Sequence, residues 1–260
     1  MKMKVYYLGP EGTFSYQAAV KYQPHADLVP CQSLYEVVEQ FNQHTNSQAI
    51  VPIENAIEGT INLIADELIE NQLHVIGEVY LDIAFDVVGL TPSMEHISSV
   101  VSIAPIISQT KRFITDYELD VKHSDSSLDS LNYIDHETVA IIPHQSTTAY
   151  PVITEHIEDY PYNKTRFLVL SHQETSHPTT QALLLLTPKV DKPGLLANIL
   201  NVFNLYNINL SWIESRPTKQ QFGCYHFLIQ CQIAASSDDY KQVLKIFEAL
   251  EITVRTIGAF

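Results

Sequence analysis

Ala49-Ile50-Val51-Pro52-Ile53-Glu54-Asn55 runs apolar for five residues and then ends on a carboxylate and an amide. A short apolar run closed by polar side chains reads as a buried strand that opens into a turn. The same grammar recurs on both sides of it. Val5-Tyr6-Tyr7-Leu8 leads through Gly9-Pro10-Glu11-Gly12 into a helix expected near Ser15 to Tyr22. Ile61, Ile64, Ala65 and Leu68 fall on one helical face. Val100-Val101-Ser102-Ile103, Val121-Lys122-His123 and Val139-Ala140-Ile141-Ile142 read as further strands, each followed by a polar turn and a helix candidate. Strands alternating with helices predict an α/β fold of largely parallel sheets, in which ligands gather at the C-terminal ends of strands.

From Ser171 to Thr180 the chain is polar, carries Pro178 and loses its periodicity, which marks a linker. Beyond it the pattern restarts. Ala182 to Leu186 is a strand, and Leu195, Leu196, Ile199, Val202, Phe203 and Tyr206 form a helical stripe. Asn209 to Glu214 is a second strand. Tyr225, Phe227, Ile229, Cys231 and Ile233 then alternate with His226, Gln230 and Gln232, as in a half-buried strand. Ser236-Ser237-Asp238 offers a helix cap ahead of Tyr240, Val243, Leu244, Phe247 and Leu250, and Val254 to Phe260 closes the unit. The order is βαββαβ, a ferredoxin-like layer of two helices on an antiparallel sheet with its own core.

A chain of 260 residues with 45% apolar content can bury two domain cores, and no apolar run approaches the roughly 18 residues of a membrane span. The first strand begins almost at Met1, with no apolar leader before it. Cys31, Cys224 and Cys231 make no C-x-x-C pair, so a reduced, cytoplasmic protein is expected. The formal charge of -15, with no Lys/Arg cluster, excludes a nucleic-acid footprint. The eleven histidines form no zinc pattern, and neither a metal nor another cofactor is expected. Asn163-Lys164-Thr165 matches a glycosylation sequon, which has no meaning in the cytoplasm.

Several polar positions could carry chemistry. Gly9-Pro10-Glu11-Gly12-Thr13 follows a strand and opens a helix, where backbone donors can hold a carboxylate, although an ordinary βα turn has the same form. Ser102 and Gln109 flank Ala104-Pro105 at a helix start and, from local sequence, look like a cap and an exposed glutamine. Thr165-Arg166-Phe167 precedes the buried run Leu168-Val169-Leu170.

Tyr6-Tyr7-Leu8-Gly9-Pro10-Glu11-Gly12-Thr13-Phe14-Ser15, Val51-Pro52-Ile53-Glu54-Asn55, Thr165-Arg166-Phe167 and Ile213-Glu214-Ser215-Arg216-Pro217 occur in this order, and together they resemble prephenate dehydratase with a C-terminal amino-acid-sensing ACT domain. The resemblance implies a two-lobed, periplasmic-binding-protein-like catalytic domain over residues 1–174, with lobes of roughly 1–80 plus 153–174 and of 81–152. Residues 175–260 would supply the linker and the ferredoxin-like ACT domain. It implies decarboxylative dehydration of prephenate to phenylpyruvate, with Thr165, Glu54, Asn55 and Gln109 catalytic. Thr13, Ser102, Ser126, Ser127, Tyr150, Arg166 and Phe167 would line the substrate cleft. Glu54 would be a true general acid only if burial raised its pKa. Arg166 is either the cation for a dianionic substrate or a structural ion-pair partner. L-Phenylalanine would bind Gly194, Leu195 and Leu196 together with Glu214, Ser215, Arg216 and Pro217, in a homodimer or dimer of dimers. The chain departs from the family at Ala56, Pro151, Leu195 and Trp212. Arogenate dehydratase and a non-catalytic ligand-binding regulator are the alternatives.

Overall fold

The computed structural model describes residues 2–174 and 177–260. Thr175 and Ser176, where the expected linker and domain boundary fall, lie outside the described residues. The chain forms two compact units, one of Met1–His44, Ala49–Gly59 and Val79–Phe167, the other of Thr45–Gln48, Thr60–Glu78 and Leu168–Phe260. The architecture is mixed α/β.

The chain begins with β1 (Lys4–Leu8), α1 (Phe14–Tyr22), β2 (Asp27–Cys31), α2 (Leu34–Gln43), β3 (Ser47–Asn55) and the two-residue β4 (Gly59–Thr60). In the first unit β3 has β1 on one side and β11 (Lys164–Ser171) on the other, and β2 pairs in parallel beyond β1. Thr13 starts α1 by accepting a hydrogen bond from Tyr16 N at 3.3 Å, and Ser33 starts α2 by accepting from Glu36 N at 3.2 Å. β2 carries Pro30 and lies at the end of the sheet order, where a missing N–H leaves no ladder bond unmade.

The rest of this unit is a five-stranded sheet with the order β10 (Val152–Thr154), β6 (Phe85–Val88), β9 (Thr138–Pro143), β7 (Ser99–Ser102), β8 (Asp120–His123). β7 runs parallel to β8 and β9, but β6 runs antiparallel to β9 and β10. The expectation of largely parallel sheets is therefore corrected to a mixed sheet. Val139 and Ile141 pack with Phe85, Val100, Ile106 and Phe113 on one face, and Ala140 and Ile142 with Val88, Val101 and Tyr150 on the other. Burial on both faces explains the unbroken apolar run in β9. Two short helices, α4 (Ala104–Ser108) and α5 (Lys111–Asp116), connect β7 to β8.

The second unit holds β12 (Ala182–Pro188), α6 (Leu195–Leu205), β13 (Leu210–Pro217), β14 (Tyr225–Cys231), α7 (Asp238–Ala249) and β15 (Ile252–Ala259). The sheet order is β13-β14-β12-β15, and each adjacent pair is antiparallel. Leu184, Leu186, Phe227 and Ile229 meet Ile199, Phe203, Val243 and Phe247 in one core. Apolar burial on this scale contributes about 25 cal/mol per Å² removed from water. β14 is not half-exposed as its alternation suggests. Gln230 is fully buried and donates to Glu78 of β5 (His74–Asp82) at 3.1 Å and to Gln181 at 2.6 Å.

This unit also contains α3 (Asn62–Glu70), whose last turn has no basic residue of its own. Arg255 of β15 supplies the missing cation, donating to the carbonyls of Leu68, Ile69 and Asn71 at 2.5, 2.8 and 2.8 Å. Nearer its start, Asp66 accepts from Arg216 Nε at 2.8 Å and pairs with Lys219 Nζ at 3.2 Å.

Two stability measurements follow from these contacts. Gly258 of β15 pairs with Val75 of β5 so closely that a Cβ would lie 2.1 Å from the Val75 carbonyl oxygen, whereas Gly77 has nothing within 4 Å. Gly258→Ala is expected to cost about 1–3 kcal/mol or more in denaturant unfolding, and Gly77→Ala to cost less than about 1 kcal/mol. The hydrogen bond from Arg216, joined by Lys219, holds the Asp66 carboxyl below its usual pKa despite partial burial. A depressed folded pKa stabilises above the unfolded value and is lost as pH falls through the folded one. Acid unfolding should therefore show a loss of stability below about pH 4 that Asp66→Asn reduces.

Candidate active site

β3 and β11 are neighbours, and the polar end of the first meets the polar start of the second. Successive side chains on a strand point to opposite faces, so each motif is split between two sides of the sheet. On one side Asn55 Nδ2 donates to Thr165 Oγ1 at 2.9 Å and to Asn163 Oδ1 at 2.9 Å, with the Lys164 carbonyl at 3.3 Å. On the other, Arg166 Nε lies 3.3 Å from Glu54 Oε2. The Arg166 side chain is only 4% exposed and that of Glu54 39%, so the cation is the inner member of the pair. The structure thus joins Asn55 to Thr165 and Glu54 to Arg166 as two separate pairs.

The Asn55 amide has a single possible orientation. Its Oδ1 accepts from Ile57 N and Glu58 N, both at 2.9 Å, and backbone N–H groups can only donate. The nitrogen must therefore face Thr165. Ala56 N donates to the Lys164 carbonyl at 2.8 Å and fastens the turn to β11. Thr165 is buried and Phe167 is buried two residues on.

Gln109 joins this group from α4. It is the C-cap of that helix, does not open it, and is buried, which corrects the expectation of an exposed glutamine. Its Oε1 accepts a short hydrogen bond from Asn163 Nδ2, and its Nε2 donates to Glu58 Oε1 at 3.2 Å. Asn163, 2% exposed, thus lies between Asn55 and Gln109. Local sequence missed it because the Asn-x-Thr pattern suggested glycosylation. The available signal was the spacing: a residue two before Thr165 shares its face of the strand. Glu58 was not singled out in the sequence.

Of the remaining expected residues, Thr13 stands at the start of α1 and the others hold separate local contacts. The Thr13 hydroxyl caps α1 and lies 3.1 Å from the Leu8 carbonyl and 2.9 Å from that of Pro10. Ser146 Oγ donates to the Gly12 carbonyl at 3.0 Å, and a Cβ on Gly12 would come within 2.8 Å of Leu128, next to Ser126 and Ser127. Ser126 Oγ accepts from Asp129 N at 3.0 Å, Ser127 is buried, and Tyr150 packs beside Ile142. Ser102 is fully buried and donates to the Ile141 carbonyl at 2.7 Å. Among the described residues, no three of histidine, cysteine, aspartate or glutamate converge as metal ligands would.

In the second unit, Gly194 caps α6 in a left-handed conformation with φ of 83°, Leu195 is buried and Leu196 is 41% exposed. Ser215 pairs with Phe227 in register and faces the α6 side of the sheet. Glu214 and Arg216 point to the opposite face, where Glu214 accepts from Thr60 at 2.7 Å and Arg216 bonds Asn62 and Asp66. Within one chain, these two side chains and the α6 N-terminus lie on different faces of the sheet.

Residues 5–175, which include both motif strands, match the family model described as prephenate dehydratase. A prephenate dehydratase of Methanocaldococcus jannaschii is 31% identical, the alignment covering 100% of this chain and 98% of the relative. The crystal structure of the prephenate dehydratase of Staphylococcus aureus subsp. aureus Mu50 superposes with a TM-score of 0.92 at 46% identity, covering 99% and 100% of the two chains. That of Arthrobacter aurescens, in complex with L-Phe, gives 0.87 at 26% identity, covering 99% and 89%. The paired motif strands and these end-to-end likenesses place the chain in the prephenate dehydratase family.

Proposed function

We propose that the chain converts prephenate to phenylpyruvate with Thr165 donating a hydrogen bond to the departing ring hydroxyl. The supporting observation is the bond from Asn55 Nδ2 to Thr165 Oγ1 at 2.9 Å. With that oxygen engaged as an acceptor, the threonine O–H is left to donate. Prephenate loses carbon dioxide and hydroxide together, and aromatisation of the ring supplies the driving force. The enzyme has to orient the substrate and favour charge on the leaving oxygen. A threonine hydroxyl is too weak an acid to surrender its proton outright, so its part is hydrogen bonding in a largely dry setting. Glu54 lies 3.3 Å from the Arg166 guanidinium and is assigned to that ion pair.

Prephenate is a dianion and the chain carries a formal charge of -15, so attraction has to be local. We assign its carboxylates to the α1 N-terminus at Thr13, whose helix dipole favours an anion, with Ser126, Ser127 and Tyr150 nearby. Arg166 takes the role of structural and electrostatic partner to Glu54. Ser102 supports β7 against β9.

The βαββαβ stretch is read as a ferredoxin-like ACT unit that senses L-phenylalanine through Gly194–Leu196 and Glu214–Pro217. The Arthrobacter aurescens relative in complex with L-Phe supports this. β13 ends its sheet and carries Ile213 at 42% exposure, a strand edge suited to pairing with a second copy.

Incubation with prephenate, with arogenate in parallel, should release phenylpyruvate from the first at the higher kcat/KM; preference for arogenate would overturn the substrate. Thr165→Ala should lower kcat about a hundredfold or more while KM changes less than about threefold, and Thr165→Ser should keep part of the rate. Turnover near wild type in the alanine variant refutes the assignment. Calorimetry on the intact chain should detect L-phenylalanine binding, and the ligand should slow turnover. Gly194→Val, which forces a β-branched residue into a left-handed backbone, should weaken that binding about tenfold. Absence of any binding to the intact chain contradicts the sensor role.

A further inference from the structure

We propose that Asn163 and Glu58 are positioning residues that, through Gln109 and Asn55, set the direction of the Thr165 hydroxyl proton. The inference rests on the reading of Thr165 as hydrogen-bond donor. Five side chains form one line, joined by four hydrogen bonds. Glu58 Oε1 accepts from Gln109 Nε2 at 3.2 Å, Gln109 Oε1 accepts from Asn163 Nδ2, Asn163 Oδ1 accepts from Asn55 Nδ2 at 2.9 Å, and Thr165 Oγ1 accepts from Asn55 Nδ2 at 2.9 Å. Asn55 Nδ2 has two protons, and these two 2.9 Å contacts take them.

Three consecutive amides could in principle run in either direction. Here both ends forbid the reverse. At one end a carboxylate only accepts, and Ser108 Oγ also donates to it at 2.8 Å. At the other end, Ile57 N and Glu58 N only donate, and they hold Asn55 Oδ1. Turning any one amide would set oxygen against oxygen and nitrogen against nitrogen at a buried site, a costly arrangement. Asn163 and Gln109 are 2% and 4% exposed, so water is poorly placed to repair such a mismatch. The two ends thus impose the same polarity on the line, Thr165 receives an N–H pointing at its oxygen, and the hydroxyl proton is turned away from Asn55.

A charge relocation tests the line. Asn163→Asp keeps the shape but puts an oxygen against Gln109 Oε1. If Gln109 turns to relieve this, its oxygen meets the Glu58 carboxylate. Adding Glu58→Gln removes that conflict, because the new amide can donate to the turned Gln109, and every member is again satisfied at unchanged net charge. Asn163→Asp alone should lower kcat for prephenate about a hundredfold with KM within about threefold. Glu58→Gln alone, which can still accept from Gln109 but no longer forbids the reverse direction, should lower kcat, by less than Asn163→Asp does. The double variant should regain at least about tenfold over Asn163→Asp, a coupling that independent sites do not show. In a Thr165→Ala background, Asn163→Asp should have little further effect on kcat.

An Asn163→Asp variant as active as wild type, or a folded double variant no better than Asn163→Asp, overturns the proposal. If Asn163→Asp alone does not fold, the double variant carries the test and must both fold and turn over. Wild-type turnover in Thr165→Ala alone would instead remove the donor reading of Thr165, so the two failures are told apart.

Discussion

The Asn55 side-chain amide is the constraint on which the rest of the site depends. Two backbone N–H groups of its own turn hold its oxygen, and the nitrogen then has one face left to serve. That face meets Asn163, the residue before β11, together with the Lys164 carbonyl and the Thr165 hydroxyl of β11. The bond positions the threonine hydroxyl and also ties the turn after β3 to the start of β11, two points more than a hundred residues apart in sequence. On the proposed role of Thr165, preorganisation of this kind raises the rate because the dipoles need no rearrangement when charge develops on the leaving oxygen.

Strand alternation gives the site its division of labour. Glu54 and Asn55 are adjacent, as are Thr165 and Arg166, yet the sheet sends one member of each pair to either side. A neutral hydrogen-bonding group collects on one face and an ion pair on the other. A strongly acidic chain gains from this separation. The buried guanidinium answers the Glu54 carboxylate directly. Lys164, paired with Asp82 at 2.9 Å in a more exposed setting, adds little by comparison.

Much of the architecture was legible in the chain. The β9 run, the α1 start and the whole βαββαβ order follow from periodicity and capping residues, because each is set by short-range burial demands. β6 and β10 were not legible: the first is four residues buried throughout and the second only three long, so neither has room for a pattern. β2 was hidden by Pro30, which reads as a breaker until the strand is known to lie at a sheet edge. Asn55 and Thr165 were marked by their motifs. Gln109 was named through the resemblance but read locally as exposed, and Asn163 was not named, since a lone amide is buried only when a distant partner satisfies it, and no local window contains that partner. The directions of Glu214 and Arg216 were equally hidden, because they depend on which face of β13 α3 covers.

Hydrogen exchange of side-chain amides in the substrate-free protein, followed by NMR, tests the oriented chain most directly. The account predicts that the Asn163 Nδ2 protons are among the slowest of all asparagine and glutamine protons. They should exchange at least about a hundredfold more slowly than those of the exposed Asn42, with Asn55 Nδ2 and Gln109 Nε2 also protected. Exchange of the Asn163 protons at the rate of Asn42 would mean that the amides are not locked in one direction, and would contradict the account.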